Sequence, residues 1–339
     1  MKWKFWMGIV ISAACLYLVF KGIEGRKLVD ALKSANYVYL PLAALVNLST
    51  FWLRAERWKY LLEPVKRTTT ARLFPITTIG FMATNLLPAR AGEFVRAYAV
   101  ARKEGISPSA SFATIVLERV LDSIVIITFF VIILFLIDFN DTSGGAMSPG
   151  IAPSNISPGM LKTTGMVFSS ILIVTFVLLL LLKLYPITVI GVINKVLFPL
   201  PEQIKKRIAQ ILESFSSGLQ VLKKGNHILP LLFWSVGVWG VSALSIWFTL
   251  MAFNLHLPFH AAGFILVLVA FAVALPSSPG FIGPFHAATS AGLIFFSVDK
   301  SIATGVSLIV HAISVVPVTL LGLFYLWMEN ISFSEIKRV

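Results

Sequence analysis

The chain has 339 residues, of which 57% are hydrophobic and only 13% charged, with a mean hydropathy of +0.88. A soluble domain carries roughly 25% charged residues, so most of this surface cannot face water; disorder and a coiled coil fail on the same figures. The single cysteine, Cys15, excludes an internal disulfide or a cysteine zinc cluster, and the net charge of +13 is distributed as in a polytopic membrane protein, not as in a nucleic-acid binder.

A span needs about 20 apolar residues. Residues 5–20 are uncharged between Lys4 and Lys21, with Trp3 and Trp6 as anchors at one end. No small-residue cleavage site followed by a soluble domain is evident, so this segment is predicted to be a retained first span. Residues 21–33 are predicted as a short amphipathic helix with Leu28, Val29 and Leu32 toward lipid. Residues 34–53 form a second uncharged run, and 73–89 a shorter third one that ends in Asn85-Leu86-Leu87-Pro88. Residues 108–137 read as one long helix containing Glu118, Arg119 and Asp122. A clean span follows at 163–182, then an amphipathic cytoplasmic segment at 201–224. Residues 225–298 contain no Asp, Glu, Lys or Arg; Asn254–Pro258 cuts this stretch once, and Pro276–Pro284 again. The last span is 301–328.

Orientation follows from Lys and Arg in the connections. Residues 54–103, apart from the short apolar run, carry ten, and 183–224 carry seven; 138–160 carry none. The first two are predicted cytoplasmic and the third external, which places both termini in the cytoplasm of a multi-pass protein of the cell membrane. The basic residues of 21–33 then fall outside, against the trend. This topology holds only if 73–89 and 261–298 do not cross. The predicted architecture is all-α, with about six full spans and two re-entrant helical hairpins in a single membrane domain. Its halves, 1–137 and 161–329, read in the same order from opposite sides, an inverted-topology repeat whose broken elements meet near the midplane.

Non-helical backbone at membrane depth persists only when buried in protein or lining a wet cavity. Pro88, Pro276, Pro279 and Pro284 remove backbone donors, while Gly92, Gly280 and Gly283 permit tight turns. Helix N-termini beginning after such breaks favour an anion. Arg90, Glu93 and Arg96 follow the first break at helical spacing, predicting a shared face and a Glu93–Arg96 pair. Arg119 and Asp122 stand at i,i+3, and Asp122 falls within the hydrocarbon depth, whereas Glu118 is predicted nearer the inner interface. A cluster of Arg90, Arg96 and Arg119 suits a phosphate, which guanidinium groups grip bidentately. His286 directly follows the second break and is a candidate to line the cavity; His311 is predicted to be packed or hydrogen-bonded inside the bundle.

The run Asn85-Leu86-Leu87-Pro88-Ala89-Arg90-Ala91-Gly92-Glu93 with Arg96, the group Glu118-Arg119 with Asp122, and Pro276-Ser277-Ser278-Pro279-Gly280 with Gly283 together resemble the lysylphosphatidylglycerol synthase transmembrane region, also called flippase-like or UPF0104. The resemblance covers nearly the whole chain. It implies lipid translocation without the soluble aminoacyltransferase of the bifunctional members, since this sequence stops at Val339. His286 stands where many relatives are expected to carry Glu, which removes support for proton coupling at that position.

The leading functional expectation is a non-enzymatic flippase for an anionic phospholipid or a polyprenyl-phosphate-linked lipid. Its substrate-binding candidates are Asn85, Arg90, Glu93, Arg96, Glu118, Arg119, Asp122, Ser277, Ser278, Gly280, Gly283 and His286. No cofactor, metal or nucleic acid is expected, no GxxxxGK[ST] motif occurs, and a homodimer is compatible with the sequence. The alternatives are an integral-membrane enzyme acting on polyprenyl diphosphate through Ser277 or Ser278 with His286, and an accessory subunit of an envelope lipid enzyme.

Overall fold

The computed structural model describes residues 2–136, 228–275 and 277–329. The predicted loop 138–160, the span 163–182 and the amphipathic segment 201–224 lie outside the described residues, as does Pro276. Among the described residues all regular structure is helical. In chain order the helices are α1 (Lys2–Phe20), α2 (Gly25–Ser34), α3 (Tyr39–Leu62), α4 (Thr70–Leu86), α5 (Gly92–Glu104), α6 (Pro108–Leu136), α7 (Ile228–Ala252), α8 (Phe259–Ala272), α9 (Pro284–Phe295) and α10 (Lys300–Met328). Short 3-10 turns, Pro88–Arg90 and Pro279–Phe281, separate α4 from α5 and α8 from α9. Two of these helices, α7 and α10, are long and apolar enough to cross a membrane; α1 with α2 makes a third only as a pair bent by 86°.

The amphipathic helix predicted in 21–33 is α2, but its apolar face meets protein. Leu28 and Leu32 press on α10 at Gly305, where the absence of a β-carbon lets Leu28 approach. Val29 alone of the three stays exposed.

The second apolar run does not end at residue 53. Nothing breaks a helix before Pro64, so α3 continues through Arg54 and Arg57 to Leu62. Both arginines, counted with the cytoplasmic loop on sequence grounds, are buried inside the bundle. Helix α3 lies antiparallel to α7: the Asn36 N–H donates to the Ala252 carbonyl at 2.6 Å, and the Ser245 hydroxyl to that of Ala43 at 2.8 Å.

Each Pro/Gly-marked break turns the chain back on itself. Helices α4 and α5 cross so closely at Gly92 that a β-carbon there would stand 2.1 Å from the Gly80 carbonyl oxygen. Helices α8 and α9 close in the same manner, Gly292 lying against Ile265. Association of apolar helices in lipid rests on such close approach of small residues, since burial of apolar surface supplies little between helices there.

The two hairpins open at opposite ends of the bundle. At the open end of α4–α5, Lys66 donates to the Glu104 carbonyl, Arg72 lies 3.8 Å from the Glu104 carboxylate, and Lys103 pairs with Glu329 beyond α10 at 2.5 Å. At the open end of α8–α9, Lys300 at the start of α10 donates to the Leu18 and Lys21 carbonyls, completing the C-terminus of α1. Asp299 caps the N-terminus of α10, accepting from the Ser301 and Ile302 N–H groups. The closed tips meet between these ends. Arg90 donates to the Val273 carbonyl at 2.7 Å, and the Asn85 carbonyl oxygen faces Gly280 at 3.4 Å from its β-position.

Candidate functional site

Beside the first hairpin tip, four helices bring a set of charged groups into one buried network. Helix α3 contributes Arg54 and Arg57, α5 contributes Glu93 and Arg96, α6 contributes Glu118, Arg119 and Asp122, and α7 adds Ser235 and Trp239. Glu118 is the hub and is fully buried. It accepts two parallel bonds from Arg96 at 3.0 and 2.8 Å and one from Arg119 at 2.6 Å, with Arg57 Nη2 at 3.2 Å. Asp122 Oδ1 accepts from Arg57 at 2.6 Å and from the Trp239 indole N–H at 3.0 Å. Asp122 Oδ2 lies 3.2 Å from Arg119 and 4.0 Å from Arg54. Arg57 also donates to the Ser235 hydroxyl at 3.1 Å.

Among the described residues, four guanidinium groups thus face three carboxylates, which leaves a surplus of one positive charge. The network sits inside the bundle: counting from the Leu62 end of α3, Arg54 is about 12 Å along the helix. An unpaired, dry charge at apolar depth costs at least about 2.5–3.5 kcal/mol; here the pairs themselves offset that cost.

The predicted pairing within α5 is replaced by contacts between helices. Arg96 turns its fork to Glu118 and stacks on Trp58, whose ring centroid is 3.8 Å from its guanidinium carbon. Glu93 instead lies 3.8 Å from Arg119. Arg90 leaves the face predicted for it: its backbone is left-handed, φ 54°, and α5 begins only at Gly92, so its side chain reaches the second hairpin and lies over Phe281 at 5.7 Å. Glu118, predicted near the inner interface, is the most enclosed acid of the network, because Arg57, Arg96 and Arg119 converge on it. Arg96 is buried as well, at 3% exposure.

The second tip is organised by contacts with α1 and α10. The Ser278 N–H donates to the Ser12 hydroxyl at 2.9 Å, and the Ser278 hydroxyl to the Ile282 carbonyl at 3.1 Å. Ser277 packs on Gly8. Gly280 and Gly283 both adopt positive φ, 70° and 102°, and Gly283 lies so close to the Ser12 carbonyl that no β-carbon fits. His311 bonds the Gly280 carbonyl at 2.7 Å through Nε2, as the sequence anticipated for a packed intramembrane histidine. His286 is buried against His311, with ring centroids 4.5 Å apart, and its Nδ1 has no hydrogen-bond partner. Asn85 joins the first tip to α10 through the Thr319 hydroxyl at 3.1 Å.

The candidates therefore fall into two groups. Glu93, Arg96, Glu118, Arg119 and Asp122 share the charged network, whereas Asn85, Arg90, Ser277, Ser278, Gly280, Gly283 and His286 form the tip-to-tip seam and its supports. Arg54 and Arg57 are site residues that the Lys/Arg tally assigns to a loop. The signal was present: two arginines at i,i+3 beside Trp58, with no helix breaker before Pro64. Among the described residues no group of three His, Cys, Asp or Glu side chains is placed to hold a metal.

Known proteins resemble this chain over nearly its full length. The family model "Lysylphosphatidylglycerol synthase TM region" matches residues 5–322. A UPF0104 membrane protein of Methanocaldococcus jannaschii is 22% identical over 331 residues, covering 93% of this chain and 91% of the relative. A UPF0104 membrane protein of Methanothermobacter thermautotrophicus is 23% identical over 334 residues, with the same coverage. The glycosyltransferase AglD of Haloferax volcanii is 28% identical over 120 residues, 35% of this chain and 19% of that protein.

Proposed function

The chain belongs to the lysylphosphatidylglycerol synthase transmembrane-region family, and from that premise we propose that it carries the headgroup of an anionic membrane lipid across the bilayer. The cargo class is an anionic phospholipid or a polyprenyl-phosphate-linked lipid, and no covalent step is involved. The observation that carries this reading is the buried network, with four arginines against three carboxylates, at the side of a hairpin tip. A surplus positive charge at apolar depth is a poor structural brace but a suitable partner for a passing phosphate. The lipid tails stay in the bilayer while the headgroup moves past the network and the seam.

The meeting of two hairpins that open at opposite ends supports an inverted repeat of residues 1–137 and 161–329. In this reading the hairpins are re-entrant, and one end of the bundle is cytoplasmic. With Cys15 replaced by serine, a cysteine at exposed His256 is expected to react with an impermeant thiol reagent on whole cells, and one at exposed Arg67 is not. The reverse pattern sinks the orientation.

Transport itself is tested in proteoliposomes carrying phosphatidylglycerol labelled on its acyl chain, with bleaching of the outer leaflet. Wild-type protein is expected to move the label several-fold faster than protein-free vesicles. Arg90→Gln, which removes one hydrogen bond to a carbonyl, is expected to slow movement while the protein remains monodisperse. Rates equal to those of empty vesicles, with and without an ion gradient, would defeat the translocase reading.

A further inference from the structure

Within the network one arginine stands apart. Arg57, Arg96 and Arg119 each make hydrogen bonds of 3.1 Å or less to acceptors in the network. Arg54 makes no hydrogen bond among the described residues, although the residue is only 9% exposed. Its nearest carboxylate oxygen among the described residues, Asp122 Oδ2, is 4.0 Å away; its Nε is buried without a partner, as are those of Arg57, Arg96 and Arg119, so the terminal nitrogens are what set it apart. A guanidinium has five donors in a rigid planar fork, and leaving them unmade inside a bundle is costly. Two aromatic rings hold this fork in place: Phe81 of α4 at 5.1 Å and Trp239 of α7 at 5.7 Å from its central carbon. Rings at that range stabilise the cation without using its N–H groups, which remain available to an acceptor. Trp239 is itself fixed by its bond to Asp122, and Asp122 by Arg57.

We propose that the Arg54 guanidinium, set between Phe81 and Trp239, is the seat of the phosphate oxyanion of the carried lipid. This rests on the lipid-carrying reading and supplies its contact residue. The three other arginines are held by Glu118 and Asp122 and act as positioning residues; Arg54 carries the surplus charge. A phosphate presents two oxygens at the spacing of the fork. The adjacent Arg119, a third exposed in its side chain and 3.2 Å from Asp122, lies on the same side and favours the same anion.

The test measures equilibrium binding to the purified full chain in detergent, with no transport step. The probes are dihexanoyl phosphatidylglycerol, inorganic phosphate and the uncharged dihexanoylglycerol. The variants are Arg54→Gln, Arg54→Lys and the exposed control Arg67→Gln. Arg54→Gln is expected to weaken phosphatidylglycerol binding at least tenfold. Arg54→Lys, which keeps the charge but not the fork, is expected to fall between it and wild type, and Arg67→Gln to match wild type. Dihexanoylglycerol is expected not to bind measurably, and inorganic phosphate to bind more weakly than the lipid. Because Arg54 makes no hydrogen bond among the described residues, Arg54→Gln is expected to keep its thermal midpoint; a drop matching that of a broken ion pair would assign Arg54 a structural role and overturn the proposal. Unchanged lipid affinity in Arg54→Gln would overturn it too, as would inorganic phosphate binding as tightly as the lipid. Binding that depends on Arg54 in a protein that moves no lipid would leave this site standing and remove the translocase reading, so the two fail separately.

Discussion

Arg57→Gln is expected to abolish the monodisperse protein. The Arg57 side chain is fully enclosed and engages Asp122, Ser235 and Glu118 at 2.6, 3.1 and 3.2 Å. Glutamine removes a cation that Asp122 and Glu118 share inside the bundle. Breaking a buried ion pair from one side costs about 3–5 kcal/mol. Against a total stability of about 5–15 kcal/mol, that is enough to lose the folded protein in detergent. The measurement is thermal denaturation followed by size-exclusion chromatography. The double variant Arg57→Gln, Asp122→Asn is expected to recover part of the loss, since it removes a charge of each sign together. An Arg57→Gln protein that elutes and melts like wild type would show that the network contributes nothing to the fold.

The second large effect is expected at the crossing of the first hairpin. In Gly92→Ala the new methyl would stand 2.1 Å from the Gly80 carbonyl oxygen, 2.2 Å from the Thr84 hydroxyl and 2.4 Å from the Thr84 backbone nitrogen. Two of those atoms are backbone, so no side-chain rotation relieves the contact, and α4 and α5 must separate. Overpacking costs about 1–3 kcal/mol and occasionally more. Separation also moves Arg96, whose aliphatic stem lies against Gly80, away from Glu118. Loss of stability is therefore expected together with loss of lipid movement, while Gly105→Ala, in an open turn where nothing stands within 4 Å, loses only what a positive φ costs. Equal behaviour of the two variants would refute the close-crossing argument.

The breaks were legible because proline and glycine act locally: a missing N–H or a missing β-carbon marks the chain wherever it sits. The charged trio of α6 was legible for a related reason, since Glu118, Arg119 and Asp122 interrupt an otherwise apolar helix. The pairing was not. Arg96 stands three residues from Glu93, yet its fork goes to Glu118, because at Arg96 the helix faces α6 and two parallel bonds outweigh one local contact. Arg57 finds its partners on α6 and α7, at separations no helical periodicity encodes. Similarly, the hydrophobic face of α2 was visible in the spacing of Leu28 and Leu32, but spacing does not say whether lipid or α10 receives it. Counting Arg54 and Arg57 toward a loop shows the weakness of charge tallies near helix ends: they register charge, not the face it occupies.

The link between the hairpin tips is asymmetric in its chemistry. Arg90 supplies the donor from a side chain, whereas residue 273 supplies the acceptor from its main chain. Any residue at 273, proline included, presents the same carbonyl oxygen, so the identity of that position is unconstrained by the link. Position 90 has no such freedom: only a long side chain with a planar donor group can bridge the gap and lie over Phe281 as well. At this one bond, then, position 273 is free to vary in side chain while position 90 is not.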